Sequence, residues 1–162
     1  MGLGCPRCRD AELVGMLIGE HHVGECLRCT GLFVEHPVLE RITRRAEERG
    51  GLRLRPVVLA PSEPEKTAYL TCPRCQVHMG RKQFGERSGI VIDVCTQHGV
   101  WFDRDELARA IEFVDAGGLA RIGERERTAA SIRRLYGDGR RSSEPMASYD
   151  MVGSFLASLL RP

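Results

Sequence analysis

Short apolar runs and two longer stripes organise this chain. "ELVGMLIG" and "HHVGEC", from residue 12 to residue 26, read as two strands joined at Gly19–Glu20. "HMGRKQF" and "GIVIDVC", between residues 78 and 95, read as a second pair joined through "GERSG", and "TAYL" adds extended chain before it. Strand alternation puts Val91 and Asp93 on the face opposite Ile90, Ile92 and Val94. A helix follows each pair. Val38, Leu39, Ile42 and Ala46 form one apolar stripe, with Pro37 suited to the first helical position and Gly50–Gly51 as the stop. Leu107, Ala110, Ile111 and Val114 form the other. There Asp103 is expected to cap, Glu106 follows three residues on, and Gly117–Gly118 ends the run.

Beyond the second stripe, residues 118–136 predict an Arg-rich helix with Ile122, Ala129, Ile132 and Tyr136 on one side. Residues 137–147 predict a disordered linker, and 148–162 an amphipathic helix carrying Met151, Phe155 and Leu159. Residues 51–67 are rich in proline and read as a linker.

The cysteines turn this outline into a repeat. Cys5, Cys8, Cys26 and Cys29 follow C-x2-C-x17-C-x2-C, and Cys72, Cys75, Cys95 and His98 follow C-x2-C-x19-C-x2-H. After each second pair come a glycine, an aromatic, an acid and the apolar stripe, so Phe33 answers Trp101, Glu35 answers Asp103 and Leu39 answers Leu107. The offset runs from 67 to 69 and back to 68, as a two-residue hairpin insertion followed by a one-residue deletion would give. Each short pair bends the backbone so that two side chains face one point, and the hairpin brings the second pair opposite the first. That spacing predicts two tetrahedral zinc ions. Four protein ligands apiece leave no open coordination position, which argues for structural rather than catalytic metal. The competing reading of a C-x2-C pair is thiol–disulfide exchange, but a redox pair usually stands alone at a helix start. His78, three residues after Cys75, cannot easily join its neighbours around a metal, and His21 and His22 are expected exposed in the first hairpin turn.

Trp101 and Phe33 are expected to cover the two sites while packing on the helix stripes. Arg7, Arg9, Arg28 and Arg74 flank the thiolates and are expected to moderate their charge from solvent. Net charge is only +2, yet arginine supplies almost all the basic groups and clusters at 40–55 and 119–141. Apolar content of 42% and few aromatics make a single large core doubtful and metal staples necessary. The chain shows neither a secretory signal pattern nor a membrane-length apolar run, so a cytoplasmic protein is expected.

"CPRCQVHM" with "GIVIDVCTQHGVWFDRDEL" resembles the bacterial transcription-factor zinc-finger family of TFIIB-type zinc ribbons, and the first copy resembles it more loosely, with Phe33 for Trp and Glu35 for Asp. The resemblance implies a zinc-β-ribbon fold, zinc held by the eight residues above, and a transcription-related role. The hairpin tip carries a lone Glu86, without the Asp–Glu pair by which some ribbons of transcription elongation factors assist a polymerase, so that activity is not expected.

The expected fold is a small α+β, metal-stapled protein. It has a first ribbon and helix at 1–50, a second at 68–117, and C-terminal helices. The expected function is a non-enzymatic adaptor with two zinc ions that binds a protein, nucleic acid or both. Arg81, Lys82 and Arg87 around Phe84, with Arg133 and Arg134, are the candidate nucleic-acid contacts. Residues 148–162 are the candidate surface for a protein partner or a homo-oligomer. A redox protein using its C-x2-C pairs is the alternative.

Overall fold

The structure is a computed structural model describing residues 2–49, 69–85 and 88–119, together with Phe155 and Leu159. The expected linker at 51–67, the Arg-rich stretch beyond Leu119 and the linker at 137–147 lie outside the described residues. The first repeat comprises β1 (Val14–Ile18), β2 (His21–Glu25), β3 (Leu32–Glu35) and α1 (His36–Arg49). The second comprises β4 (Gly80–Gln83), β5 (Val91–Cys95), β6 (Gly99–Phe102) and α2 (Glu106–Asp115). Gly19, at φ 62°, turns β1 into β2 with Ile18 opposite His21.

All six strands form one sheet in the order β1-β2-β3-β6-β5-β4, which is palindromic under the repeat. The join is β3 against β6, antiparallel, with Phe33 opposite Trp101, Val34 opposite Val100 and Glu35 opposite Gly99. Phe33 and Trp101 are equivalent positions, so this register relates the ribbons by a local two-fold axis running between those two residues. The hydrophobic pattern suggested neither β3 nor β6. Each is four residues long, too short for alternation to show, and each finds one of its two partners in the other ribbon.

Strand alternation sorts the side chains between two faces. Val34, Val100, Phe102, Ile92 and Val94 point to the helix side and meet Leu39, Ile42 and Ala46 of α1 and Leu107, Ala110, Ile111 and Val114 of α2. Both stripes are buried as their spacing predicts, and Val91 and Asp93 do face away from Ile92 and Val94. The apolar groups of the two ribbons fuse into one core, contrary to the expectation that low aromatic content would prevent it. His21 is also buried, not exposed in a turn, because strand β2 points it to the same face as Val23. Phe155 and Leu159 from the C-terminal segment lie in this core as well, with the Phe155 ring edge-on to Phe84 at 5.0 Å between centroids. These two apolar groups therefore pack within the chain.

The opposite face carries Phe33, Trp101 and the cysteines, with Leu70 and Met79. Trp101 was expected to bridge metal site and helix stripe. Instead the sheet itself separates it from α2, and its neighbour Phe102 takes the helix side. The indole lies over Gly31 of the other ribbon, where a Cβ would come within 3.0 Å of three of its ring atoms. The equivalent Gly99 is as confined, because a Cβ there would meet backbone atoms of Val34 and Glu35.

Overpacking against backbone that cannot move aside costs about 1–3 kcal/mol. Gly99→Ala is expected to lose that much in urea denaturation of the metal-loaded protein. Gly15→Ala, with nothing within 4 Å of its Cβ, should stay within about 0.5 kcal/mol of the parent. Equal effects at the two positions would refute the close seam.

Candidate metal centres

The eight predicted donors gather into two groups of four. Within each group, Cys5–Cys8–Cys26–Cys29 and Cys72–Cys75–Cys95–His98, the ligand atoms all lie within 4.8 Å of one another. Ions bound at Zn–S ~2.3 Å and Zn–N ~2.0 Å require tetrahedron edges of ~3.8 Å between sulfurs and ~3.5 Å between sulfur and nitrogen. The Cys5 and Cys29 sulfurs stand 3.7 Å apart, and those of Cys75 and Cys95 3.8 Å apart. His98 Nδ1 stands 3.5 Å from Cys95 Sγ and 3.8 Å from Cys72 Sγ. Disulfides need ~2.05 Å, so these are free thiols spaced for an ion at their centre. Sulfur-rich tetrahedral sets suit zinc, and His98 offers Nδ1 as its donor. His78, by contrast, is exposed and belongs to neither set.

The knuckles pre-form this geometry through their backbones. The N–H of Cys8 points at Cys5 Sγ (3.3 Å) and that of Arg74 at Cys72 Sγ (3.4 Å). Three of the four tight turns end in a residue with positive φ: Arg9 (39°), Thr30 (57°) and Gln76 (59°). Burial pushes Cys5 and Cys72 up to about 11 against weaker help from backbone N–H groups, and it raises Cys29 as well. At the equivalent residues Cys26 and Cys95, burial also acts upward. Backbone N–H groups of Cys29 and Arg28, and of Gln97 and His98, together with neighbouring side chains, outweigh it and bring these thiols to about 7. Several thiolates at one point need the double charge of an ion to coexist.

The arginines in the two C-P-R-C knuckles were expected to stay in solvent, but each crosses the seam. Arg7 grips Asp103 of the second ribbon with both Nε (2.8 Å to Oδ1) and Nη2, and Asp103 Oδ1 also accepts the Trp101 indole N–H at 2.8 Å. The equivalent Arg74 pairs with Glu35 of the first ribbon. The Arg7–Asp103 pair is largely shielded and bidentate, the stronger kind. Arg74–Glu35 is nearly half exposed and worth about 0–1 kcal/mol. Arg9 and Arg28 do stay exposed.

With its carboxylate occupied this way, Asp103 does not cap α2. Asp105 takes the N-cap position in the left-handed region without a side-chain cap bond, and only the return half of the capping box forms, from Asp103 N–H to Glu106 Oε2 at 2.8 Å. Burial, with Asp103 and Asp93 nearby, raises Glu106 to about 7 against the Asp103 N–H and Arg109.

His36 carried no sequence signal. It starts α1 of the first ribbon, yet its Nε2–H donates to the carbonyl of Cys95 at 2.6 Å, and its backbone N–H donates to the carbonyl of His98 at 3.2 Å. Its ring therefore braces the second ribbon's last ligand turn.

Among the described residues, Phe84, Arg81 and Lys82 do not form a stacking platform. Phe84 is fully buried, its ring edges and faces against Phe102 and Phe155, so no base can stack on it. Arg81 stands 3.6 Å from the buried Asp93 across the β4–β5 ladder, and Lys82 is half-buried beside it. Arg87, Arg133 and Arg134 lie outside the described residues. The Arg cluster of α1 is partly neutralised by Arg44–Glu40 and Arg45–Glu20 pairs.

Removing metal with excess chelator is expected to collapse the far-UV and near-UV signals of both ribbons, because zinc contributes about 10–16 kcal/mol apparent to small sites of this kind. A chain that keeps its native spectrum without metal would contradict this. The protons on Cys5 and Cys72 must leave when an ion binds, so competition titrations should show affinity rising with pH between 6 and 8. Glu106, raised in the fold, favours folding while protonated, and that contribution is lost as pH rises through about 7. Glu106→Gln should therefore gain stability over the parent at pH 8 relative to pH 6.

Among known families, the model of the transcription factor zinc-finger, a zinc ribbon of TFIIB type, matches residues 71–112. No curated protein and no solved structure matches the chain. The matched stretch holds all four donors of the second centre, the seam strand β6 and most of α2. The four-cysteine centre of the first ribbon lies outside it, and its likeness to the second rests on sequence repeat and strand topology. Residues 71–112 thus match the TFIIB-type zinc ribbon, and one sheet joins them to a second ribbon with its own four-cysteine donor set.

Proposed function

We propose that the chain is a non-catalytic, zinc-stabilised adaptor that binds a protein segment in the cleft between its two N-terminal knuckles. The closed donor sets support the non-catalytic part, since four protein ligands around each ion leave no position to activate water. The cleft supports the binding part. It has a volume of about 420 Å3 and lies between equivalent residues of the two ribbons, Gly4 with Thr71, Pro6 with Pro73 and Arg9 with Gln76. Tyr69 stands on its rim with 67% of its surface exposed, beside His78. An exposed tyrosine, prolines and an arginine are the chemistry of protein recognition, and Arg9 has no ion-pair partner among the described residues.

Charge favours protein over nucleic acid at this surface. Phosphate backbones need several free cations, whereas Arg9 is the one arginine or lysine among the residues lining the cleft, and Arg7 and Arg74 of the adjoining knuckles are paired with acids. The thiolate-rich centres beside the cleft add negative charge. A segment presenting an acidic group to Arg9 and an apolar side chain to Tyr69 fits these features, and a place in transcription accords with the family matched at 71–112.

A photo-crosslinking amino acid at position 69 or 76 should capture a discrete protein in cells, and one at Glu48 on α1 should not. Arg9→Glu should abolish the position-69 crosslink. Crosslinking to nucleic acid at these positions, or equal capture from Glu48, would overturn the assignment.

A further inference from the structure

The two metal centres are built so that each ribbon braces the other's ligands. Starting at the first centre, its last ligand Cys29 is followed within three residues by β3, whose outer partner is β6. In the second ribbon, β6 begins directly after the last ligand, His98. Fixing either metal centre therefore fixes a strand that the other ribbon needs. Four side-chain contacts repeat this coupling. Asp103 of the second ribbon holds Arg7 inside the first C-x2-C knuckle, and Trp101, bonded to the same carboxylate, packs over Gly31 next to the other pair of ligands. His36 of the first ribbon holds the carbonyl of Cys95, and its main-chain N–H holds that of His98. Glu35 of the first ribbon holds Arg74 inside the second C-x2-C knuckle.

We infer that the two ribbons load their metal ions as a pair, with Asp103 a positioning residue for the first centre and His36 a positioning residue for the second. This rests on the reading that both donor sets hold an ion. Its physical basis is that β3 and β6, each already paired on one side within its own ribbon, fill each other's remaining edge, and that bracing groups behind metal ligands typically govern about 10–100-fold of affinity. With one ion bound, half of each brace hangs on a ribbon that lacks its own anchor. The second ion then binds to a site already ordered, which makes the two affinities mutually dependent.

The test uses the full chain, stripped of metal and titrated with Zn2+ or Co2+. Two independent equal sites at one equivalent would leave about half the chains with a single ion, and unequal independent sites would leave more. Native mass spectrometry is expected instead to show mainly ion-free and two-ion chains. Co2+ separates the centres by absorption, since a four-sulfur site and a three-sulfur, one-nitrogen site differ in their d–d bands. Asp103→Asn is expected to weaken Co2+ at the four-sulfur centre, in the other ribbon, by about tenfold. His36→Ala should do the same at the three-sulfur, one-nitrogen centre, and His36→Gln, which keeps an N–H to donate, should recover most of it.

A dominant one-ion species in the parent chain would overturn the inference without touching the zinc assignment. So would variants whose effects stay within the ribbon that carries them. A chain that takes up no ion at either centre would remove the zinc assignment and this inference together.

Discussion

The pairing of β3 with β6 is the constraint on which the remaining architecture depends. A metal knuckle can fix four side chains around a point, but it leaves the next strand with open hydrogen-bonding groups along one edge. In this protein the edge left by one ribbon is filled by the matching edge of the other. That single ladder sets the strand order, brings α1 and α2 to the same face, and places both aromatic residues of the repeat on the opposite face. It also lets apolar groups too few for two cores make one.

The two faces of the sheet are held by different physics. On the helix side the stabilisation is apolar burial around Leu39, Ile42, Leu107 and Ile111. On the other side the core is made of thiols, Phe33 and Trp101, with the thiols gathered into two clusters spaced to hold an ion each. Charged groups close this second layer. Arg7 and Asp103 satisfy one another and the indole, and the buried Asp93 faces Arg81, which moderates the upward push that burial gives its carboxyl. Five of the described arginines, Arg7, Arg44, Arg45, Arg74 and Arg81, are thereby tied to acids.

Much of this was legible before any coordinates. Spacing alone placed the eight donors, because two short turns and a hairpin admit only one way of converging on a point. The helix stripes were legible because Leu107, Ala110, Ile111 and Val114 repeat at helical intervals. The seam was not, since Leu32–Glu35 and Gly99–Phe102 are short and their partners lie far away in sequence. For the same reason Arg7 and Arg74 read as solvated neighbours of the thiolates when they are ties to the other ribbon. Asp103 looked like a helix cap because its local context fits one, and a long-range arginine decided otherwise. Phe84 illustrates the reverse error. Basic residues around an aromatic suggested an exposed platform, whereas the strand's pleat and Phe155 enclose the ring.

The position of Trp101 has a spectroscopic consequence. As the sole tryptophan in the chain, it is the dominant intrinsic fluorophore, and it sits wholly enclosed with its N–H held by Asp103. Its indole packs over Gly31 of the other ribbon, in the layer that holds the thiols of both clusters, so its emission wavelength reports the integrity of the seam. The molecule thereby carries a native optical sensor for the joining of its halves, with no label needed.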